Sequence, residues 1–341
     1  MNTHFFLLQT MYEDVPPLTA PSVTGDATDL MPIEPSSFSH DLWRIVQSAL
    51  SKAMPQMTAA IHTCLALIAV TILLSLLRNC QKQAKESVQL TGVITISAIL
   101  LSSTHSMICL ATETIMQLSN YGKMLLPVLT AALASTGGSS SSAALYTATA
   151  VFDGFMCAAV SNILVPMVYI YLVLSVMNAA AGDELIKKVR DFVKWLVSWG
   201  MKVVLYVFTG YISLTGIITG TADQAAVKAT KMTISSVVPV VGGMLSDASE
   251  TVLISAAMVK NSIGIYGLMA LLAVLIVPFL RICIQYGLLR LTAAVSGIFA
   301  EKQISNLIGD FAGTMGLLLG MTGTVCLLLI ISVICFLKGM G

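Results

Sequence analysis

Six stretches of this chain, residues 57–77, 89–110, 161–181, 201–219, 263–283 and 313–337, are almost wholly apolar. Each is about 20 residues long, the length at which a helix crosses a hydrocarbon core of about 30 Å. In that solvent every backbone N–H and C=O must be satisfied inside the chain, which leaves helices and closed barrels. Barrel strands would be shorter and would alternate polar with apolar residues. The runs therefore predict an all-α, polytopic membrane protein whose first partner is the lipid bilayer. Only 10% of residues are charged, against about 25% in a soluble domain. The net charge of +1 offers no bulk electrostatic attraction to nucleic acid.

Charge orients the runs. Residues 1–41 hold five prolines and six acids but no Lys or Arg, and read as a disordered acidic tail. Residues 42–56 read as a short amphipathic helix before the first span, completing with the following basic loop a segment over 42–88. Basic residues gather in three connections: Arg78, Lys82 and Lys85; Lys187, Lys188, Arg190, Lys194 and Lys202; Arg281, Arg290 and Lys302. The positive-inside rule puts all three on the cytoplasmic side, and both termini outside. The first ten residues contain no Lys or Arg, so they make a poor signal peptide.

Past the tail, four of five prolines repeat. Pro127 and Pro166 are 39 residues apart, as are Pro239 and Pro278, and the pairs are offset by 112 residues. A fixed offset is the mark of a duplicated unit. Unit A (89–200) and unit B (201–312) carry the same elements in the same order, and 313–341 remains as a last span. Both units start on the basic side, so each crosses an even number of times and the repeat is parallel. The expectation is two spans per unit around a Pro/Gly-broken helical hairpin on or in the outer side, six spans in all, or as many as ten where the hairpins cross fully.

The two hairpins differ. In unit B the break is Pro239, Gly242 and Gly243, since proline stops a helix and paired glycines permit a tight turn. Its arms carry Asp223, Lys228, Lys231, Asp247, Glu250 and Lys260. Folding them antiparallel about 240–242 sets Asp223 opposite Lys260 and Lys231 opposite Glu250. Two roles fit: a solvated outer hairpin whose ion pairs contribute about 0–1 kcal/mol each, or a re-entrant one lining a water-filled path. In unit A the break is Pro127 with Gly137 and Gly138, followed by four serines. A phosphate-cradling loop would need Lys-Ser or Lys-Thr there, which is absent.

The last helix carries Gly309, Gly313, Gly316, Gly320 and Gly323, all on one face. Small residues there let another backbone come close, whether a span of the same chain or of a second copy. Pro166 and Pro278 join these as span-packing positions. Catalytic and metal signals are sparse. His4, His40, His62 and His105 are isolated, and of these His62 and His105 lie on apolar spans and read as packed polar residues. The seven cysteines form no CxxC pair and read as small buried hydrophobes. No cofactor motif stands out.

The run VVPVVGGMLSDASETVLISAAMVKNSIGIYG at 237–267, GYISLTGIITGTADQAAVKATK at 210–231 and LPVLTAALAS at 126–135 resemble the stage III sporulation protein AE family of endospore formers. The likeness covers most of the chain after residue 50. It implies a multi-pass protein of the mother-cell-derived membrane around the forespore. It further implies partnership with other stage III sporulation A proteins and, indirectly, with the forespore stage II sporulation protein Q, in a secretion-like channel complex. In that complex another family supplies the ATPase, and no catalytic residue carries over. The expected function is thus a non-enzymatic membrane component of a channel, with homo-oligomers open. The alternative is a secondary transporter that binds a small solute between the two units.

Overall fold

The computed structural model describes the backbone of residues 38–80, 85–135, 146–147, 150–151, 154–155, 157–208, 210 and 242–338. Among the described residues the chain is helical and has no strand. We number the long elements α1 (Phe38–Cys80), α2 (Lys85–Ser135), α3 (Val165–Ala181), α4 (184–208), α5 (Gly242–Phe299) and α6 (Lys302–Lys338). Five described stretches are long and apolar enough to cross a membrane: Met57–Arg78, Ser87–Ala131, Cys157–Ala181, Ile265–Phe299 and Lys302–Ile334. The remaining expected span, 201–219, is helical to 208 as α4, and beyond 210 it lies outside the described residues.

Several helices are longer than their apolar runs. The expected separate helix over 42–56 is instead continuous with the first span, through Pro55, in the 43-residue α1. Its inner face, Ile45, Ala49 and Ala53, is buried, and that packing carries the helix across the proline. α2 likewise runs through Pro127 to Ser135 as one 51-residue helix, so the chain does not break at that proline. A mid-helix proline costs about 3 kcal/mol. Leu125, Leu126 and Leu129 around it are buried, and such side chains contribute about 1.5–3 kcal/mol each when withdrawn from water. The 58 residues of α5 span about 85 Å and α2 about 75 Å, more than twice the hydrocarbon thickness of about 30 Å.

Three connections meet at one end. Arg78 pairs with Glu301 at 2.6 Å, Gln89 bonds Gln303, and Gln303 also reaches Gly182. These join the connections after α1, α3 and α5, the three that the sequence marks as basic. From this end α2, α4 and α6 run away, while α1, α3 and α5 run toward it.

Local chemistry ends the helices there. Gly182 has φ of +68° and its N–H bonds Asn178 O at 2.9 Å, a left-handed helix cap. Asp183 then caps α4, its carboxylate accepting the Leu185 N–H at 2.9 Å. Glu301 O accepts the first N–H groups of α6, from Ile304 and Ser305. At the start of α3 a wide π-turn over Val160–Leu164 precedes Pro166. Pro166 has no N–H to give, and the widened turn removes the clash its ring would make with the carbonyl four residues back.

α6 is the hub. Of its most apolar window 61% is buried, against 17% for α1, and it packs on α2, α3 and α5. α1 and α3 turn lipid-like faces outward, with Leu65, Ile72, Leu73, Leu76, Ile170, Val173 and Met177 exposed.

Candidate functional site

α4 and α6 climb side by side. Arg190 meets Asp310, Lys194 meets Gly313, and Met201 meets Gly320, so the two helices stay in register to within one residue over this length. The lowest of these contacts is an enclosed ion pair. Arg190 Nη1 lies 2.5 Å from Asp310 Oδ2, with the two side chains 10% and 15% exposed. Tyr171 of α3 donates from its hydroxyl to Asp310 Oδ1 at 3.2 Å. On the outer side, Asp191 Oδ1 accepts from Arg190 Nε at 3.0 Å and Nη2 at 2.8 Å. Lys194 Nζ stands 5.9 Å from the centre of the Tyr171 ring.

The arrangement follows from helix periodicity. Arg190, Val197 and Met201 are buried on one face of α4, while Leu185, Val189, Phe192, Trp195 and Trp199 form an exposed apolar stripe on another. On α6, Gly313 stands one turn above Asp310. A Cβ there would come within 3.1 Å of Tyr171 Oη and 3.2 Å of Lys194 Nζ, so the missing side chain makes room for both. Burial works against the Arg190 charge, but Asp191 and Asp310 more than offset it and hold its pKa above the ordinary arginine value. Two cations thus surround one buried carboxylate where three helices meet. Such a cluster can lock the helices, or bind an anion if Asp310 withdraws.

The sequence placed Arg190 and Lys194 in a basic connection. That stretch, expected as a charged amphipathic helix over 183–195, forms the first turns of α4 and packs on the hub. Asp310 and Tyr171 were missed. The signal was present: extending the last apolar run back to Ile304 encloses Asp310, and an acid in a span calls for a partner.

The glycine face packs mostly within the chain. A Cβ at Gly316 would meet the Tyr286 ring at 3.5 Å and one at Gly320 would meet Met201 Cε at 3.1 Å, whereas Gly309 and Gly323 face open space. Pro278 lies inside α5. His62 and His105, expected to be packed, are exposed. Tyr169 Oη nevertheless lies 2.8 Å from His105 Nδ1, and Cys109 Sγ lies 3.7 Å from His105 Nε2. Cys109 and Cys283 are also exposed, so not all cysteines are core residues.

Gly137, Gly138, Asp223, Lys228, Lys231 and Pro239 lie outside the described residues. Gly242 and Gly243 open α5, and Asp247, Glu250 and Lys260 follow on the same helix. The second arm expected of the unit B hairpin is therefore continuous with the following span. The side chains of 242–264 are not among the described ones.

The sequence profile of the family described as Stage III sporulation protein AE matches residues 29–339. The chain belongs to that family. A similar protein, the Stage III sporulation protein AE of Bacillus subtilis (strain 168), is 26% identical over 226 residues, which are 66% of this chain and 57% of that protein. The matched part is thus little more than half of the relative. No solved structure matches the chain. Membership gives a role in stage III of sporulation, and the five membrane-competent helices give an integral membrane protein.

Proposed function

We propose that the chain is a non-enzymatic membrane component of a multiprotein, secretion-like channel between mother cell and forespore. It sits in the mother-cell-derived membrane around the forespore. There it joins other stage III sporulation A proteins and, through them, the forespore stage II sporulation protein Q. The observation that carries this reading is the length of α2 and α5. Both run far beyond a bilayer on the side away from the basic connections. A permease needs no such extension, whereas a component that meets partners across an intermembrane space does.

The duplication belongs to the same proposal: two parallel units, 89–200 and 201–312, each present one hairpin outward. In unit B, Asp223–Lys260 and Lys231–Glu250 pairs staple the arms.

A second reading, a secondary transporter, draws on the Arg190–Asp310–Lys194 cluster, which could hold a small anion among three helices. Reconstitution of the purified chain in liposomes separates the two. The channel reading expects no solute uptake by the chain alone and tight co-purification with the other stage III sporulation A proteins. Saturable uptake without partners would overturn it in favour of the transporter.

A further inference from the structure

The end where the three basic connections meet holds a cleft of about 290 Å³. Its walls come from α1, α2 and the α5–α6 connection. Thr71, Ser75, Arg78, Gln89 and Glu301 supply polar groups, and Leu74, Val88, Phe299 and Ile304 supply an apolar floor. It lies where apolar run gives way to charge on each element: the first run ends at Arg78, the second begins at Gln89, and α6 begins after Glu301. That border is headgroup depth. At the same depth, the opposite faces of α1 and α2 expose Leu73, Leu76, Leu77 and Leu90, the faces that would meet lipid tails.

Among the described residues, the charges lining the cleft are one of each sign. The pair uses Nη1 of Arg78 and Oε1 of Glu301, and the side chains are 40% and 28% exposed. A guanidinium carries five N–H donors and a carboxylate a second oxygen, so both groups keep capacity for a further partner from the open side. Arg binds phosphate through parallel N–H donors. A carboxylate next to it repels a purely anionic headgroup and attracts an ammonium. We propose that this cleft binds the zwitterionic headgroup of a phospholipid of the phosphatidylethanolamine type. Its phosphate sits on Arg78, its ammonium on Glu301, and its acyl chains leave the cleft past the half-exposed Phe299 into the surrounding bilayer. The site ties a membrane lipid to the point where α1, α2, α5 and α6 are held together.

The full chain, incorporated into nanodiscs of equal phosphatidylethanolamine and phosphatidylglycerol and then extracted, is analysed by native mass spectrometry for retained lipid. The native chain is expected to retain phosphatidylethanolamine in excess of phosphatidylglycerol. Arg78→Gln should lower retained phosphatidylethanolamine by about tenfold, the scale of one lost charge-assisted contact. Glu301→Gln should shift the preference toward phosphatidylglycerol. Ser75→Leu, which fills the cleft and leaves the ion pair in place, should abolish the excess at unchanged thermal stability, so that misfolding cannot mimic the result. Equal retention of both lipids by the native chain, or an excess that survives Ser75→Leu, would overturn the site. An excess removed by soluble phosphoethanolamine at concentrations matching the lipid would overturn the lipid as its source.

Discussion

Removing the Asp310 carboxylate should destabilise the bundle far more than removing both members of its pair. Asp310→Leu deletes the acceptor of a 2.5 Å bond from Arg190 and of a 3.2 Å bond from Tyr171. A guanidinium only 10% exposed is then left with Asp191 on its outer side. Taking one partner from a buried ion pair costs about 3–5 kcal/mol. The surviving Asp191 bonds should hold the loss near the lower bound, about 3 kcal/mol, as hydrogen bonds to charged groups contribute about 1.5–3 kcal/mol. Replacing both, as Arg190→Met with Asp310→Leu, removes the stranded charge and leaves shapes of similar length. Double apolar replacement of a buried pair is neutral or stabilising in comparable cases. The double variant should therefore regain most of the lost stability, with a coupling of roughly 0.5–3 kcal/mol. The assay is thermal unfolding of the detergent-purified chain, followed by circular dichroism, for the four members of the cycle. Purely additive losses, with the double variant least stable of all, would show that Arg190 and Asp310 are not coupled and refute the geometry. A stable double variant that fails to support sporulation where the native chain supports it would show that the charges serve function beyond clamping.

Other outcomes follow from single contacts. Gly313→Leu should prevent α4 and α3 from closing on α6, because a Cβ alone meets Tyr171 and Lys194 within 3.2 Å. Gly323→Ala, in open space, should be neutral or stabilising by about 0.5–1 kcal/mol, and thermal melts of the two variants check the contrast. Gly182→Ala should cost on the order of 1 kcal/mol, as a left-handed residue gains a Cβ that also meets Gln303 Nε2 at 2.9 Å; the same melts measure it. In the proposed unit B staple, Lys231→Glu and Glu250→Lys should each impair sporulation while the double reversal restores it. Absence of rescue would refute that register.

The helices were legible because burial in lipid writes itself as uninterrupted apolar length. The clustering of three connections was legible because membrane insertion sorts Lys and Arg to one side, and Arg78, Glu301 and Gln303 meet where that sorting placed them. A proline misled where tertiary packing outweighed local preference: Pro127 reads as a break, yet the buried side chains around it carry α2 across it. The glycine face was legible as a close-packing surface, but not its partner. Facing either another helix of the chain or a second copy, Gly313 and Gly320 would look the same in sequence. The ion pair was the least legible feature, for a physical reason. Arg190 and Asp310 are 120 residues apart; Arg190 sits among other bases that explain it locally, and Asp310 in its apolar run calls for a partner without saying which. Only the parallel rise of α4 along α6 joins them. A charge in a basic run costs little in water, but the same charge at a three-helix junction requires a counter-charge within hydrogen-bond reach. Lys187 and Lys188 are exposed on the same helix, and Lys187 meets the exposed Glu184 at 3.1 Å, so the enclosed site is set by helical phase rather than by basic composition.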